Sequence, residues 1–265
     1  MNKTLELIHQ RRSVRNYEDK PIDRATVDAI IDAAMRAPTA GNLMLYSILE
    51  IEDAQMKAKL AVSCDNQPFI ARAPLALIFL ADYQRWIDAF FASGVPSLCE
   101  ARGETMRTPG EGDLLLACCD ALIAAQTAVI AAESLGIGSC YVGDIMEQYE
   151  YHRELLDLPP HAFPITMVCF GYPTQAARQR ELTPRFDRAC IHFKNGYRRL
   201  RREELLQMLE PRKRKGFVQG AANVGQDVYL RKFSASFAQE MTRSARHAIS
   251  TWTASLGTDS VDPVV

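Results

Sequence analysis

The sequence predicts an α+β fold in which helices outnumber strands. Three observations lead there. The hydrophobic period alternates between the spacings of helix and strand up to Pro173. Four short runs, "YSILEIE", "LALIFLAD", "SCYVGD" and "ITMVCFGYP", have the length and β-branched content of strands. Between the second and third lies an apolar run, 114–132, far too long for a strand.

Taken in order, residues 3–10 read as a short amphipathic helix. Asp23 caps a longer one that sets Val27, Ile30, Ile31 and Ala34 on one face and stops before Pro38. A strand over 46–52 and a helix over 54–62 follow, then a buried strand over 75–82. Segment 83–112 predicts one helix around Trp86 and a polar loop holding Pro109, Gly110 and Gly112. The long helix over 114–134 ends at Gly136. Apolar nearly all round, it reads as the central helix of a core; Asp120 and Gln126 interrupt it, which argues against a membrane span. Strands at 139–144 and 165–173 flank a helix near 147–156 and the turn at Pro159-Pro160. Beyond Pro173 the periodicity fades, 198–216 is highly charged, and 221–250 recovers a helical pattern. The chain thus divides into a core over 1–195 and a helical extension over 196–265, which wraps the core or reaches a partner subunit.

Composition narrows the function. The chain has 265 residues, 48% hydrophobic and 24% charged, enough for a sizeable core. With 31 Lys+Arg against 32 Asp+Glu its net charge is −1, so no global basic field attracts nucleic acid. The first fifteen residues are polar and predict no secretory signal. Seven cysteines without CxxC spacing, five of them in apolar runs, predict reduced buried thiols in a cytoplasmic protein and no metal site. Against that neutral background Arg11, Arg12 and Arg15 cluster around Ser13. Planar guanidinium forks and a hydroxyl suit a small phosphate-bearing ligand. The histidines at 9, 152, 161, 192 and 247 are scattered and read as surface or packing residues.

Four segments then line up: "RRSVRNY" (11–17), "RAPTAGNLMLYSI" (36–48), "NQPFIARAPLALIFLAD" (66–82) and "ESLGIGSCYVGDI" (133–145), continued by "LPPHAFPITMVCFGYP" (158–173) and "LTPRF" (182–186). In this order they resemble the nitroreductase family of flavoproteins, in particular its oxygen-insensitive NADPH-type branch. The resemblance implies a mostly antiparallel sheet flanked by helices, an intertwined homodimer, and FMN at the subunit interface. It also implies NAD(P)H as hydride donor, with ping-pong transfer through flavin N5 to nitroaromatics, quinones or similar small acceptors. By position, Arg11, Arg12 and Ser13 grip the FMN phosphate and Arg15 lies by the pyrimidine edge, where a cation favours the reduced ring. Pro38, Thr39, Ala40 and Asn42 match the segment that touches the partner's flavin. Gln67 matches a flavin or ribityl contact, and the backbone of Tyr141, Val142 and Gly143 matches the surroundings of N5. Arg185 matches a late phosphate arginine. Two departures stand out: Met44 and Leu45 replace a frequent Gln-Pro, and Thr183 replaces a frequent Lys. "GIGS" at 136–139 is no dinucleotide loop, because it follows a helix and opens a strand. No side-chain acid, base or nucleophile carries over.

Two alternatives stay open. The same fold hosts flavin reductases, enone reductases and dehalogenases. From another class, 198–215 carries eight Lys/Arg against three Glu and offers nucleic-acid binding; its lack of interleaved aromatics beyond Tyr197 favours a solvated helix instead.

Overall fold

A computed structural model describes residues 2–210 and 216–255. Those residues fall into two compact units, one of 2–180 with 241–255 and the other of 181–240.

The first unit is built on a four-stranded antiparallel sheet of β1 (Tyr46–Glu50), β2 (Leu75–Asp82), β3 (Gly138–Val142) and β4 (Ala162–Gly171), in the order β1-β2-β4-β3. The period-2 rule explains its two buried faces. Leu75, Leu77, Phe79, Val168 and Phe170 face α2 (Arg24–Met35) and α7 (Glu111–Ser134). Ala76, Ile78, Leu80, Met167 and Cys169 face α3 (Ala54–Ser63) and the short α4 (Pro68–Ala71). β4 begins three residues before the expected start because Pro164 does not end it. Phe79 pairs with Thr166 and Leu80 with Pro164, so Ile165 is an extra residue, and a bulge is where a strand tolerates proline.

The helices follow their caps. Asp23 accepts the Thr26 N–H at 2.9 Å and starts α2, which buries Val27, Ile30 and Ala34 as expected. Segment 83–112 holds two helices rather than one: α5 (Gln84–Ala92) and α6 (Val95–Ala101). The second was hidden because Gly94-Val95-Pro96 reads as a loop, whereas proline in a first turn also opens a helix. α7 starts at Glu111, where the Asp113 carboxylate accepts the Gly110 N–H at 2.8 Å. It is not enclosed all round. Ala121, Ala124, Ala125, Ala128 and Val129 lie on the sheet, while Leu115, Leu116, Leu122 and Ile123 form an exposed stripe. Among the described residues it is the one helix long and apolar enough to cross a membrane by length and composition. The thiols follow the same geometry: Cys64, Cys140 and Cys169 are buried, Cys118 is half-buried and Cys119 is exposed.

A short 3-10 turn after β3 leads into α8 (Tyr149–Leu155). Its His152 is fully buried, within 2.9 Å of the Ile145 carbonyl oxygen through Nδ1 and 2.7 Å of Ser63 Oγ through Nε2. Residues 241–252 of α12 (Ser236–Trp252) close this end of the sheet. Ser244 Oγ bridges the Met146 carbonyl and the Tyr149 N–H, and Trp252 Nε1 donates to the Gly110 carbonyl at 3.2 Å.

Before α12, the second unit contains α10 (Arg202–Leu209), α11 (Val224–Val228) and a π-turn at Tyr229–Phe233. Arg198 and Arg201 both meet the Glu204 carboxylate, at 2.8 and 3.3 Å, which offsets part of the basic run. Residues 211–215 of that run, and 256–265 of the expected extension, lie outside the described residues.

Candidate functional site

β3 is an edge strand, and residues 11–17 lie along its open side. The Val14 N–H donates to the Ser139 carbonyl at 2.8 Å, and Ser13 pairs with Ser139 in a parallel bridge. Tyr17 continues the contact opposite Pro173. Two glycines make this closeness possible. A Cβ on Gly138 would stand 2.5 Å from Val14 Cγ2, and one on Gly171 would stand 2.5 Å from the Tyr17 ring.

The segment brings its cations to β3. Arg11 Nη2 donates to Ser139 Oγ at 3.4 Å, its guanidinium lies 6.0 Å from the Tyr141 ring centre, and its buried Nε has no partner. Arg15 sits 5.6 Å from the Phe69 ring centre. Among the described residues neither Arg11 nor Arg15 forms an ion pair. Burial pushes the Cys140 thiol up, while Arg15 and Arg11, a hydrogen bond with Ser13, and Arg180 pull it the other way. Three guanidiniums and a hydroxyl therefore act on one point of β3. Arg12 behaves differently. It donates to the carbonyl oxygens of Arg178, at 2.6 Å, and Arg180, while Arg180 donates to the Ser13 carbonyl at 3.2 Å. Arg12 thus ties the chain following α9 (Gln175–Gln179) to the edge segment.

On α7, Glu133 lines a cavity of about 450 Å3 together with Arg11, Arg12, Lys3, Glu6 and Arg178. Its Oε1 is buried without a partner. Burial raises its pKa to about 7, against the pull of Arg11 and Arg12. A second cavity, of about 810 Å3, is lined by Arg15 with Lys20, Lys57 and Arg72. Gln67 donates to the Cys64 carbonyl at 2.9 Å and to Asp144 Oδ2 at 2.8 Å, which places it beside the end of β3. Tyr141 donates its hydroxyl to Gln126 at 3.2 Å, with its pKa pushed up to about 12 by burial. Val142 buries its side chain in the core, so it offers a site only its backbone; Gly143 opens the turn that follows.

Residues 38–45 stand apart. Asp120, 2% exposed, accepts the Ala40 N–H at 3.0 Å and the Leu45 N–H at 3.2 Å. Between those anchors Asn42 and Met44 adopt φ of 58° and 51°, a region non-glycine residues seldom enter. Thr39 Oγ1 accepts the Met44 N–H at 3.4 Å, and Pro38 precedes the loop. Asp120 and Glu133 are 13 positions apart on α7, an axial separation of about 20 Å. Within one chain, this loop is therefore anchored far along α7 from the Glu133 end of the cavity that Arg11 and Arg12 line. Arg185 belongs to the second unit, where it donates to the Thr183 carbonyl at 3.0 Å.

Four residues here escaped the sequence reading: Asp120, Glu133, Asp144 and Arg180. Asp120 had a visible signal, since a carboxylate inside an apolar helix must find donors once buried. Arg180 and Asp144 had none, because their partners are remote in sequence.

A family model described as "Nitroreductase family" matches residues 8–172. The chain is 30% identical over 199 residues to an "FMN reductase (NADPH)" of Bacillus subtilis, covering 74% of this chain and 75% of the relative. It is 30% identical over 229 residues to an "Oxygen-insensitive NADPH nitroreductase" of Salmonella typhimurium, covering 86% and 88%. Among solved structures, the NADPH:FMN oxidoreductase of Vibrio harveyi complexed with NAD+ superimposes with a TM-score of 0.75 at 25% identity, over 94% of this chain and 98% of that one.

Proposed function

Since the chain belongs to the Nitroreductase family, we propose that it is an FMN-dependent oxidoreductase that draws electrons from NAD(P)H. The observation that carries this reading is the edge segment beside β3: Arg11 has a buried, unpartnered Nε, and Arg15 has no ion pair among the described residues. Unsatisfied guanidinium donors at a site matched by the family suit a phosphate and an electron-rich ring edge. The names of the Bacillus and Vibrio relatives join FMN with NADPH, and that of the Salmonella relative carries NADPH. When bound, the flavin supplies two-electron transfer from the nicotinamide to an acceptor such as a nitroaromatic or quinone, in ping-pong order.

The protein's part is binding, orientation and electrostatics. Arg11 and Ser13 hold the phosphate. Arg12 keeps the carbonyls of 178 and 180 in place, so its support of the phosphate is largely through the backbone. Arg15 sets positive charge at the pyrimidine edge. Gln67, steadied by Asp144, and the backbone of 141–143 complete one wall.

The active form in this reading is a homodimer. The exposed stripe of Leu115, Leu116, Leu122 and Ile123 supplies apolar surface for a second copy. Loop 38–45, anchored on α7 about 20 Å from Glu133, serves the partner's flavin rather than its own. The protein works in the cytoplasm on small molecules, and the paired arginines at 198 and 201 suit a solvated helix better than a nucleic-acid surface.

The test is direct. The purified protein is expected to be yellow and to release FMN, not FAD, on denaturation. It should then oxidise NADH or NADPH in the presence of a nitro compound. Release of FAD, or failure to bind flavin on reconstitution, refutes the reading.

A further inference from the structure

Glu133 stands out because its own structure does not account for it. Its Oε1 and Arg11 Nε are both buried and both unpartnered, and the two residues line one cavity without forming an ion pair. Two opposite charges left apart at a shared void indicate a site whose charge balance is completed by something else. The helices and the edge segment around the cavity contribute charge. α1 (Lys3–Gln10) supplies Lys3 and Glu6, the edge segment supplies Arg11 and Arg12, and α9 supplies Arg178, while β3 lines it with Gly138 alone. Lys3 and Glu6 bring one charge of each sign. Arg178 is within 3.8 Å of Glu18, and Arg12 is committed to carbonyl oxygens. The cations that act on Glu133 are Arg11 and Arg12, and of the two Arg11 keeps the unpartnered donor.

We propose that Glu133 is a positioning residue for the phosphate end of the flavin site: its carboxylate competes with the phosphate for Arg11, and phosphate binding is coupled to proton uptake by Glu133. The inference rests on the FMN reading above. With Glu133 ionised, a phosphate at Arg11 meets a like charge across the cavity. With Glu133 protonated from solvent, Arg11 is free to serve the phosphate alone. The group is set to respond near neutrality, since burial already lifts it to about 7 before any phosphate arrives, and a phosphate dianion lifts it further. The sign follows from linkage: the ligand that favours the protonated form binds more tightly as pH falls through that range.

FMN dissociation constants, read from flavin fluorescence on diluting the holoprotein, test this in wild type and Glu133→Gln at pH 5.5 and 8.5. Riboflavin serves as the phosphate-free probe. At pH 5.5 the two proteins should bind FMN equally. At pH 8.5 the glutamine variant should bind it about three- to tenfold more tightly, the scale of one unit charge acting across a partly solvated site. Riboflavin should show no difference at either pH. Parallel pH profiles for the two proteins, or an equal shift with riboflavin, overturn the proposal while leaving the FMN reading intact. If wild type binds neither flavin, the FMN reading falls and this inference with it. Should Glu133→Gln fail to fold, wild-type calorimetry at pH 7.5 in two buffers of different protonation heat decides. Free FMN phosphate, with its second pKa at about 6, is by then nearly all dianion. A fraction of a proton should be taken up on binding; zero uptake or net release overturns the proposal.

Discussion

Replacing Asp120 by alanine is the sharpest test of how the site is assembled. The carboxylate is 2% exposed and is the acceptor for two backbone donors, Ala40 N–H and Leu45 N–H. Alanine leaves both donors without that acceptor, and an unsatisfied buried donor costs about 1–3 kcal/mol. The loss is therefore about 2–6 kcal/mol, a large share of the ~5–15 kcal/mol that holds a typical domain together. Asparagine keeps one acceptor but turns an NH2 group toward the other N–H, so about half that cost is expected. Urea unfolding at one fixed protein concentration measures both variants, and Cys119→Ala, on the exposed side of the same helix, serves as the control. Hydrogen exchange adds a local reading: the amides of Ala40 and Leu45 should lose protection in Asp120→Ala while those of β2 and β4 keep theirs. An Asp120→Ala protein within ~0.5 kcal/mol of wild type, with both amides still protected, would refute the claim that this carboxylate holds the loop in its αL conformation.

Three further outcomes are expected. Arg11→Ala should weaken FMN binding by about one to two decades, the cost of a charge-assisted bond, whereas Arg15→Ala should lower the flavin's reduction potential; equal potentials in wild type and the Arg15 variant refute that division. Gly138→Ala should destabilise by about 1–3 kcal/mol through overpacking against Val14, and Val14→Ala in the same chain should recover most of the loss in a double-mutant cycle. Burial lowers the pKa values of His152 and His161 below the ordinary 6.5. The unfolded chain then binds protons first, so stability is full above pH 6.5 and falls as pH drops below it; the urea midpoint should fall from pH 7.5 to 5.5, and His152→Gln should flatten that slope.

The framework was legible because it rests on local signals. Asp23 as a cap, the unbroken run of β2 and the length of α7 each needed only neighbouring residues, and each lies where the sequence placed it. The misses have physical causes. The strand expected from 165 starts at Ala162, because sequence carries no sign of the bulge that admits Pro164. The open face of α7 was read as core because leucine looks alike whether it faces a sheet or solvent. At the site, the arginine cluster announced itself by composition, but nothing local could tell Arg11, with a donor to spare, from Arg12, spent on distant carbonyls. Glu133 was equally silent, since its charge matters only after the fold brings Arg11 beside it.

The way residues 11–15 lie against β3 also bears on when the protein can first hold its cofactor. Arg11 reaches Ser139 across 128 positions of sequence, and Arg12 reaches Arg180 across 168. Contacts this remote form slowly, because most of the intervening chain must be ordered before they repay the closure. In synthesis from the N-terminus the arginines emerge first and their seat last. A fragment ending before Gly138 would carry all three arginines of the segment and still lack the strand they lie on. Retained flavin would then certify that the chain had been made through Arg180 and closed upon its own beginning.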